Sequence, residues 1–381
     1  MKSTILLAAS IFLINPVISN AQQHQNKKYY NLIIGTYTTS GDSEGIYVYN
    51  FNTQSGDFKF KSVAKGVENP SYLCVSADQK FVYAVNEVEN GGVSSFNLNA
   101  KTGELYLLNR VKSKGENPCY ISIDKTGKHV FAGNYSGGNL SVFKTSLNGS
   151  LTEATQTIQH YGSSTNNNRQ EKPHVHATVL SPDEKVLFAV DLGTDKINSY
   201  RINNFGKAEV LSPTEQGFVA VKAGSGPRHL TFHPNGKFAY LIQELTAEVS
   251  VYDYKTQKLT IKQTASMLSP DFKGAVGAAD IHISPDGKFL YASNRGDANE
   301  LVIYSIAKNG TLTFSGRQST LGKTPRNFVI TPEGNFLLVA NQNSNEIVIF
   351  KRNIKTGMLT ATNKKISVGK PVCLIFANSR Q

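Results

Sequence analysis

The chain has no tryptophan and only three cysteines and three methionines in 381 residues. Without Trp, a surface for stacking sugars would have to be built from the 17 Tyr, which counts modestly against a glycan-binding platform. Cys74, Cys119 and Cys373 cannot all pair within the chain, and they fall at different places in the repeat described below. Buried free thiols are therefore expected rather than a disulfide framework. Lys and Arg outnumber Asp and Glu by 40 to 28, a formal charge of +12, yet they are scattered one or two at a time. No basic block marks a nucleic-acid arm, and the surplus at most favours anionic small molecules or surfaces. There is no Gly-x-Ser-x-Gly elbow between a strand and a helix, which argues against a serine hydrolase. Nor is there an acidic cluster of the kind that holds calcium, so neither metal nor cofactor is expected.

Long apolar runs are also missing, except from Ile5 to Ile18, where Asn15 and Pro16 interrupt a stretch already short of the roughly 20 residues of a spanning helix. With Lys2 before it and Ser19, Asn20 and Ala21 after it, residues 1–21 read as an export signal cut near Gln22. No Cys follows that point to carry a lipid. The remainder, 22–381, is expected to be one soluble domain, periplasmic or secreted and monomeric, with no membrane or nucleic-acid partner.

What the sequence does have is a repeat of about 50 residues. NPSYLCVSADQKFVYAVNE at Asn69 and NPCYISIDKTGKHVFAGNY at Asn117 share one layout with GPRHLTFHPNGKFAYLIQEL at Gly226 and TPRNFVITPEGNFLLVANQ at Thr324. VHATVLSPDEKVLFAVDL and AADIHISPDGKFLYASNR lose or shift the leading Pro but keep the Ser-Pro-Asp turn. Each is an apolar run, a turn and a second apolar run, the pattern of a β-hairpin, with Asp-Gly, Asn-Gly or Glu-Gly supplying a positive φ in three copies. Third strands such as EVSVYDY at Glu248 and fourth strands such as the one after KNG at Lys308 follow. Four antiparallel strands per unit is the make-up of a propeller blade. KPVCLIFAN from Lys370 is a first strand with nothing after it; Asn31, Gly45 and Asp57 begin second, third and fourth strands with nothing before them. Joined, the two ends complete a seventh blade and close the ring, so an all-β, seven-bladed β-propeller is predicted.

The repeat supplies registers that separate structural residues from exceptions. At the first position of strand one the copies carry Ser71, Cys119, His176, Arg228, Ala279, Arg326 and Val372; just past strand two the six full copies carry Glu87, Tyr135, Leu192, Glu244, Arg295 and Gln342. His176, Arg228, Glu244 and Arg295 come from the adjacent third, fourth and fifth blades and are expected to converge on one sector of the channel mouth. His174, Asp191, His229, Asp280 and Arg326 are expected beside them, as substrate contacts or supports. Each also has a structural reading: loop or inter-blade hydrogen bonds for His174 and His176, a salt bridge for Arg228 with Glu244, a turn arginine for Arg295. His233 and His282 fit packing or turn capping better than chemistry.

These residues carry a resemblance. PHVHA at Pro173, DLGTDKI at Asp191, GSGPRHLTFHPNGKFAY at Gly224 and ADIHISPDGKFLYASNR at Ala279 are similar to the lactonase family of seven-bladed propellers, which includes the propeller-type 6-phosphogluconolactonase and the fungal carboxy-muconate lactonizing enzyme. The resemblance implies hydrolysis of a sugar or organic-acid lactone, with His176, Arg228, Glu244 and Arg295 as the active site. His176 or Glu244 would be the base, the other its orienter or proton donor, and the two arginines would bind the oxyanion and a substrate anion. Two other readings stand beside it: a non-catalytic exported propeller binding a glycan, peptide or protein, and a lactonizing activity on a muconate-like acid.

Overall fold

A computed structural model describes residues 28–203 and 209–379. The proposed signal, 1–21, and the expected mature start near Gln22 lie outside the described residues. Twenty-eight strands, β1 to β28 in chain order, form seven four-stranded antiparallel sheets. Six use consecutive strands: β4 (Leu73–Val75) to β7 (Leu105–Lys112), β8 (Pro118–Ile123) to β11 (Gln156–Gln159), β12 (Val175–Leu180) to β15 (Leu211–Ala220), β16 (Pro227–Phe232) to β19 (Lys258–Ser266), β20 (Ala278–Ile283) to β23 (Leu312–Ser319) and β24 (Pro325–Ile330) to β27 (Leu359–Ser367). They are blades one to six. In blade seven, β28 (Pro371–Asn378) pairs with β1 (Tyr29–Thr36), followed by β2 (Gly45–Asn52) and β3 (Phe58–Lys65). The ring is closed as the split repeat predicts.

Why each blade folds alike is visible at both ends of its inner hairpin. At one end the Ser-Pro-Asp turn satisfies its own backbone: Ser284 Oγ donates to Asp286 Oδ1 and accepts the Phe289 N–H at 3.0 Å, and Gly287 takes φ 69° where a side chain would be strained. At the other end the residue just past strand two donates its N–H, at 2.7–3.1 Å, to the carbonyl two residues before the strand-one register position. This bond recurs in all seven blades, from Tyr37 to Lys370, Glu87 to Asn69, Tyr135 to Asn117, Leu192 to His174, Glu244 to Gly226, Arg295 to Gly277 and Gln342 to Thr324. In five of them the accepting residue (Asn69, Asn117, Gly226, Thr324 or Lys370) is left-handed and stands immediately before the leading proline or one residue ahead of strand one. In the two copies without that Pro, His174 and Gly277 do the same without a left-handed turn.

Second strands are buried along all or nearly all of their length, as in Phe238–Gln243, because they are covered by the next blade on each face. Between blades four and five, for example, Tyr240, Ile242, Val249 and Val251 pack on Ala278, Ile281, Leu290 and Val302. Each fully buried Leu, Ile or Val of this size is worth about 1.5–3 kcal/mol of transfer free energy, so the inter-blade seams hold the ring. Fourth strands alternate between covered and exposed residues and leave Phe60, Leu107 and Phe314 on the rim. The three cysteines are free; Cys119 and Cys373 are buried as expected, whereas Cys74 is only half-buried. Among the described residues no helix is long and apolar enough to cross a membrane.

Candidate active site

In six of the seven blades the strand-one register position is a β-bulge. In blades two, three, four, six and seven the pairing skips one residue, namely Cys119, His176, Arg228, Arg326 and Val372; in blade five it skips Ala279 and Asp280. A bulged residue makes no ladder pair and its side chain is re-aimed, here toward the channel mouth. The residue past strand two is tied to the same spot by the repeated backbone bond. Side chains from these two positions thereby reach one end of the channel.

Those side chains enclose a cavity of about 310 Å³ lined by Tyr37, Glu87, Cys119, Tyr135, Arg169, His176, Glu244, Arg295 and Arg326. Every blade contributes to this cavity or to its floor, so the site encircles the mouth rather than occupying the one sector expected. His176, Glu244 and Arg295 face the cavity together. Arg228 lies beneath them, 2% exposed, lining a separate small space with Ser71, Tyr72, His229 and Asn327.

Glu244 is the hub. Its Oε2 accepts from Arg228 Nε at 2.9 Å and lies 3.0 Å from Arg295 Nη2, while Oε1 accepts from Arg169 Nη2 at 2.6 Å. Burial alone would raise its pKa, but Arg295, Arg228 and Arg169 outweigh it and hold the carboxyl well below the usual carboxylate range. Burial lowers Arg295 to about 10, against the pull of Glu244, so it remains a guanidinium at neutral pH. Arg295 also donates to the Gly277 carbonyl at 2.8 Å, which fixes its plane. His176 is buried, with Nδ1 3.7 Å from Cys119 Sγ; burial first, then Arg228, His229 and Arg326, push its pKa well below the ordinary imidazole value. It is a neutral ring. Burial likewise pushes the Cys119 thiol up, with Glu87 adding to it, so it is no thiolate nucleophile.

On the other wall the Tyr37 hydroxyl donates to Glu87 Oε2 at 2.9 Å, and the Arg326 guanidinium sits 5.4 Å from the Tyr37 ring centre. Burial raises the Tyr37 pKa and Glu87 adds to this, so it stays a phenol. Arg326, expected as a substrate contact or a support, faces the cavity directly.

The remaining expected residues lie behind the site. His174 stacks on Tyr135 at 4.4 Å and donates from Nδ1 to the Tyr135 carbonyl at 3.0 Å. Asp191 accepts the N–H groups of His174, Gly193 and Thr194 and the His160 Nδ1 hydrogen, organising a loop rather than a substrate. His229 donates from Nδ1 to Asp280 at 2.9 Å, which leaves Nε2 to accept from Arg228 at 3.1 Å. Burial, then Arg228, lowers His229 to about 4, keeping it the neutral acceptor this contact needs. Asp280 also takes His282 at 2.9 Å and Asn327 at 2.6 Å, and His233 bonds the Gly287 carbonyl, as the turn-capping reading has it. The Asn at the end of strand two is structural too: Asn86 and Asn341 donate to loop carbonyls.

Five cavity residues lie outside the sequence prediction: Tyr37, Glu87, Cys119, Tyr135 and Arg169. Cys119 stands in the first register and Glu87 and Tyr135 in the second, on blades one and two, outside the sector predicted to hold the site. Tyr37 holds the same register in the split blade, where no intact hairpin draws attention to it. Arg169 comes from the long loop between β11 and β12, which follows no repeat; Gln170 beside it donates to the Leu192 carbonyl at 2.9 Å and pins the loop over the mouth. Among the described residues no three His, Cys, Asp or Glu side chains come together as metal ligands.

The lactonase, seven-bladed β-propeller family model matches residues 31–376. The chain belongs to this family. It is 38% identical over 304 residues to the 6-phosphogluconolactonase of Formosa agariphila, covering 78% of this chain and 86% of that one. To the 6-phosphogluconolactonase of Bacillus subtilis it is 35% identical over 299 residues, covering 78% and 83%. The solved structure of the periplasmic gluconolactonase of Pseudomonas aeruginosa superposes with a TM-score of 0.88 at 37% identity, covering 92% of this chain and all of that one.

Proposed function

We propose that this lactone hydrolase opens a sugar or organic-acid lactone that carries a negative group, of the kind the 6-phosphogluconolactonases among its relatives act on. One observation carries the reading: four guanidiniums, Arg169, Arg228, Arg295 and Arg326, stand in or just under a single cavity against two carboxylates, Glu87 and Glu244. An excess of fixed positive charge around a cavity favours an anionic ligand and the oxyanion that forms when water attacks the ester carbonyl. Arg295 and Arg326 are proposed to face the substrate. Glu244 orients Arg228, Arg295 and Arg169, and with its lone pairs so engaged it is a poor proton acceptor. His176, a neutral ring among cations, is proposed to hydrogen-bond the lactone, because carrying a proton there would add a positive charge beside Arg228 and Arg326.

The test is acid release from a panel of phosphorylated, carboxylated and neutral lactones by the wild type, Arg228→Ala and His176→Ala. A wild type no faster than buffer on every lactone removes the enzymatic reading. Full activity in both variants removes the site. Export of the chain is also proposed, supported by the apolar segment within residues 1–21 and by the periplasmic neighbour; N-terminal sequencing of the mature protein should begin near Gln22.

A further inference from the structure

The geometry points to Glu87, oriented by Tyr37, as the group that moves the proton in lactone opening, with Glu244 excluded from that role. This rests on the lactone-hydrolase reading and deepens it. Two carboxylates line the cavity, and their surroundings differ in kind. Both Glu244 oxygens are occupied by guanidiniums, at 2.9 and 3.0 Å on one and 2.6 Å on the other. Glu87 makes no ion pair among the described residues, and the donor it meets is the neutral Tyr37 hydroxyl at 2.9 Å, on Oε2. Its second oxygen is left for a ligand in the cavity. A base has to accept a proton on a lone pair, and a carboxylate clamped by three arginines has both lost its basicity and filled its lone pairs.

The backbone makes this placement as rigid as that of the other site residues. The Glu87 N–H donates to the Asn69 carbonyl at 3.1 Å, the blade-one copy of the bond that also sets Glu244 in blade four, and Asn69 Nδ2 donates to the Glu87 carbonyl at 3.0 Å. Besides Tyr37, the charged or titratable groups facing Glu87 are Arg326 and the Cys119 thiol, with His176 and Arg295 across the cavity. Arg326 supplies positive charge near the reacting carbonyl without touching the Glu87 oxygens. His176, kept neutral, hydrogen-bonds substrate.

The step balances within the site and solvent. The Glu87 carboxylate accepts a proton from water as the water oxygen bonds to the lactone carbonyl carbon, and the carbonyl π pair moves onto oxygen beside the guanidiniums. Collapse restores the carbonyl and breaks the bond from carbon to ring oxygen, whose electron pair takes the proton from the Glu87 carboxylic acid. The product is a hydroxy acid, which releases its own proton to solvent. Glu87 ends as it began.

The experiment uses the full chain and measures kcat and KM from pH 5 to 9 on the best lactone of the panel, for wild type, Glu87→Gln, Tyr37→Phe and Glu244→Gln. In Glu87→Gln, kcat should fall roughly 10³-fold with KM within about threefold, and the acid limb of kcat/KM should disappear. Tyr37→Phe should keep the limb but move it to higher pH, since the lost hydrogen bond stabilised the charged carboxylate. Glu244→Gln should keep the limb, displaced only toward lower pH by the uncovered guanidiniums. If Glu87→Gln does not fold, the Tyr37→Phe shift decides alone. An active wild type with an unchanged acid limb in Glu87→Gln, or in Tyr37→Phe, overturns the assignment by itself, and loss of the limb in Glu244→Gln overturns it in favour of Glu244. A wild type no faster than buffer overturns it together with the functional reading, and the inactive wild type tells that failure from the others.

Discussion

Glu244→Gln tests the charge hub at the centre of the site. The substitution keeps the shape of the side chain, replaces one oxygen with an N–H donor aimed at guanidiniums, and leaves Arg228, Arg295 and Arg169 without their shared counter-ion. At an effective dielectric near 20 each such contact is worth about 4 kcal/mol gross, so three give roughly 12 kcal/mol before the several kcal/mol per ion of desolvation is subtracted. The Arg169 contact counts for least, because that side chain is 40% exposed and screened by water. Breaking a buried pair by removing one partner costs about 3–5 kcal/mol, and that is the expected loss. With an unfolding entropy of about 2.1 cal/mol/K per residue over roughly 350 residues, Tm should fall by about 4–7 °C. Calorimetry with and without inorganic phosphate separates charge from packing. An anion can replace the missing carboxylate, so phosphate at about 100 times its Kd should restore roughly 2.7 kcal/mol in the variant and less in the wild type. A Tm within 1 °C of wild type, or phosphate stabilising both proteins equally, would refute the hub.

Further expectations concern the periphery of the site and the ring. His229 is held neutral at a pKa of about 4 against 6.5 for a free imidazole, so the unfolded chain binds the proton first and stability is lost as pH falls from about 6.5 toward 4, by about 3 kcal/mol. His282, raised by Asp280, works in the opposite sense, its contribution fading as pH rises through its folded value. Urea titrations at pH 7.5 and 4.5 should therefore show His229→Gln closing the gap to wild type at the lower pH; a constant gap would contradict the linkage. Arg169→Ala should raise KM for an anionic lactone about tenfold, or about 1.4 kcal/mol, with kcat little changed; an equal rise for a neutral lactone would show that its charge is not what binds. Ending the chain at Gly369 removes β28 and uncovers the inner edge of β1, so the product should be insoluble or lose cooperative unfolding. A soluble protein with wild-type Tm would mean the ring does not depend on that closure.

The fold was legible because a propeller repeats its information. One turn chemistry, seen at Ser284-Pro285-Asp286 and its equivalents, marks each inner hairpin, and the unmatched halves at Asn31 and Lys370 can only complete each other. The site was legible in part for the same reason: two registers held His176, Arg228, Glu244, Arg295 and Arg326. Adjacency along the chain does not bound it. Glu87 and Tyr37 belong to blades one and seven, far in sequence from His176, yet a closed ring brings all seven mouths to one cavity. Arg169 had no register at all.

By itself, then, the sequence determined the number of blades, the closure and which positions look toward the mouth, because these follow from local turns, alternation and repetition. Only the tertiary structure decided that the register position is a bulge and that Arg228 lies under the cavity rather than in it. It alone separates the two carboxylates, one locked by three arginines and one held by a tyrosine. Those differences arise largely from side chains on separate blades meeting at distances of about 3 Å, and no property of a single segment encodes which partners will share a carboxylate once the ring has closed.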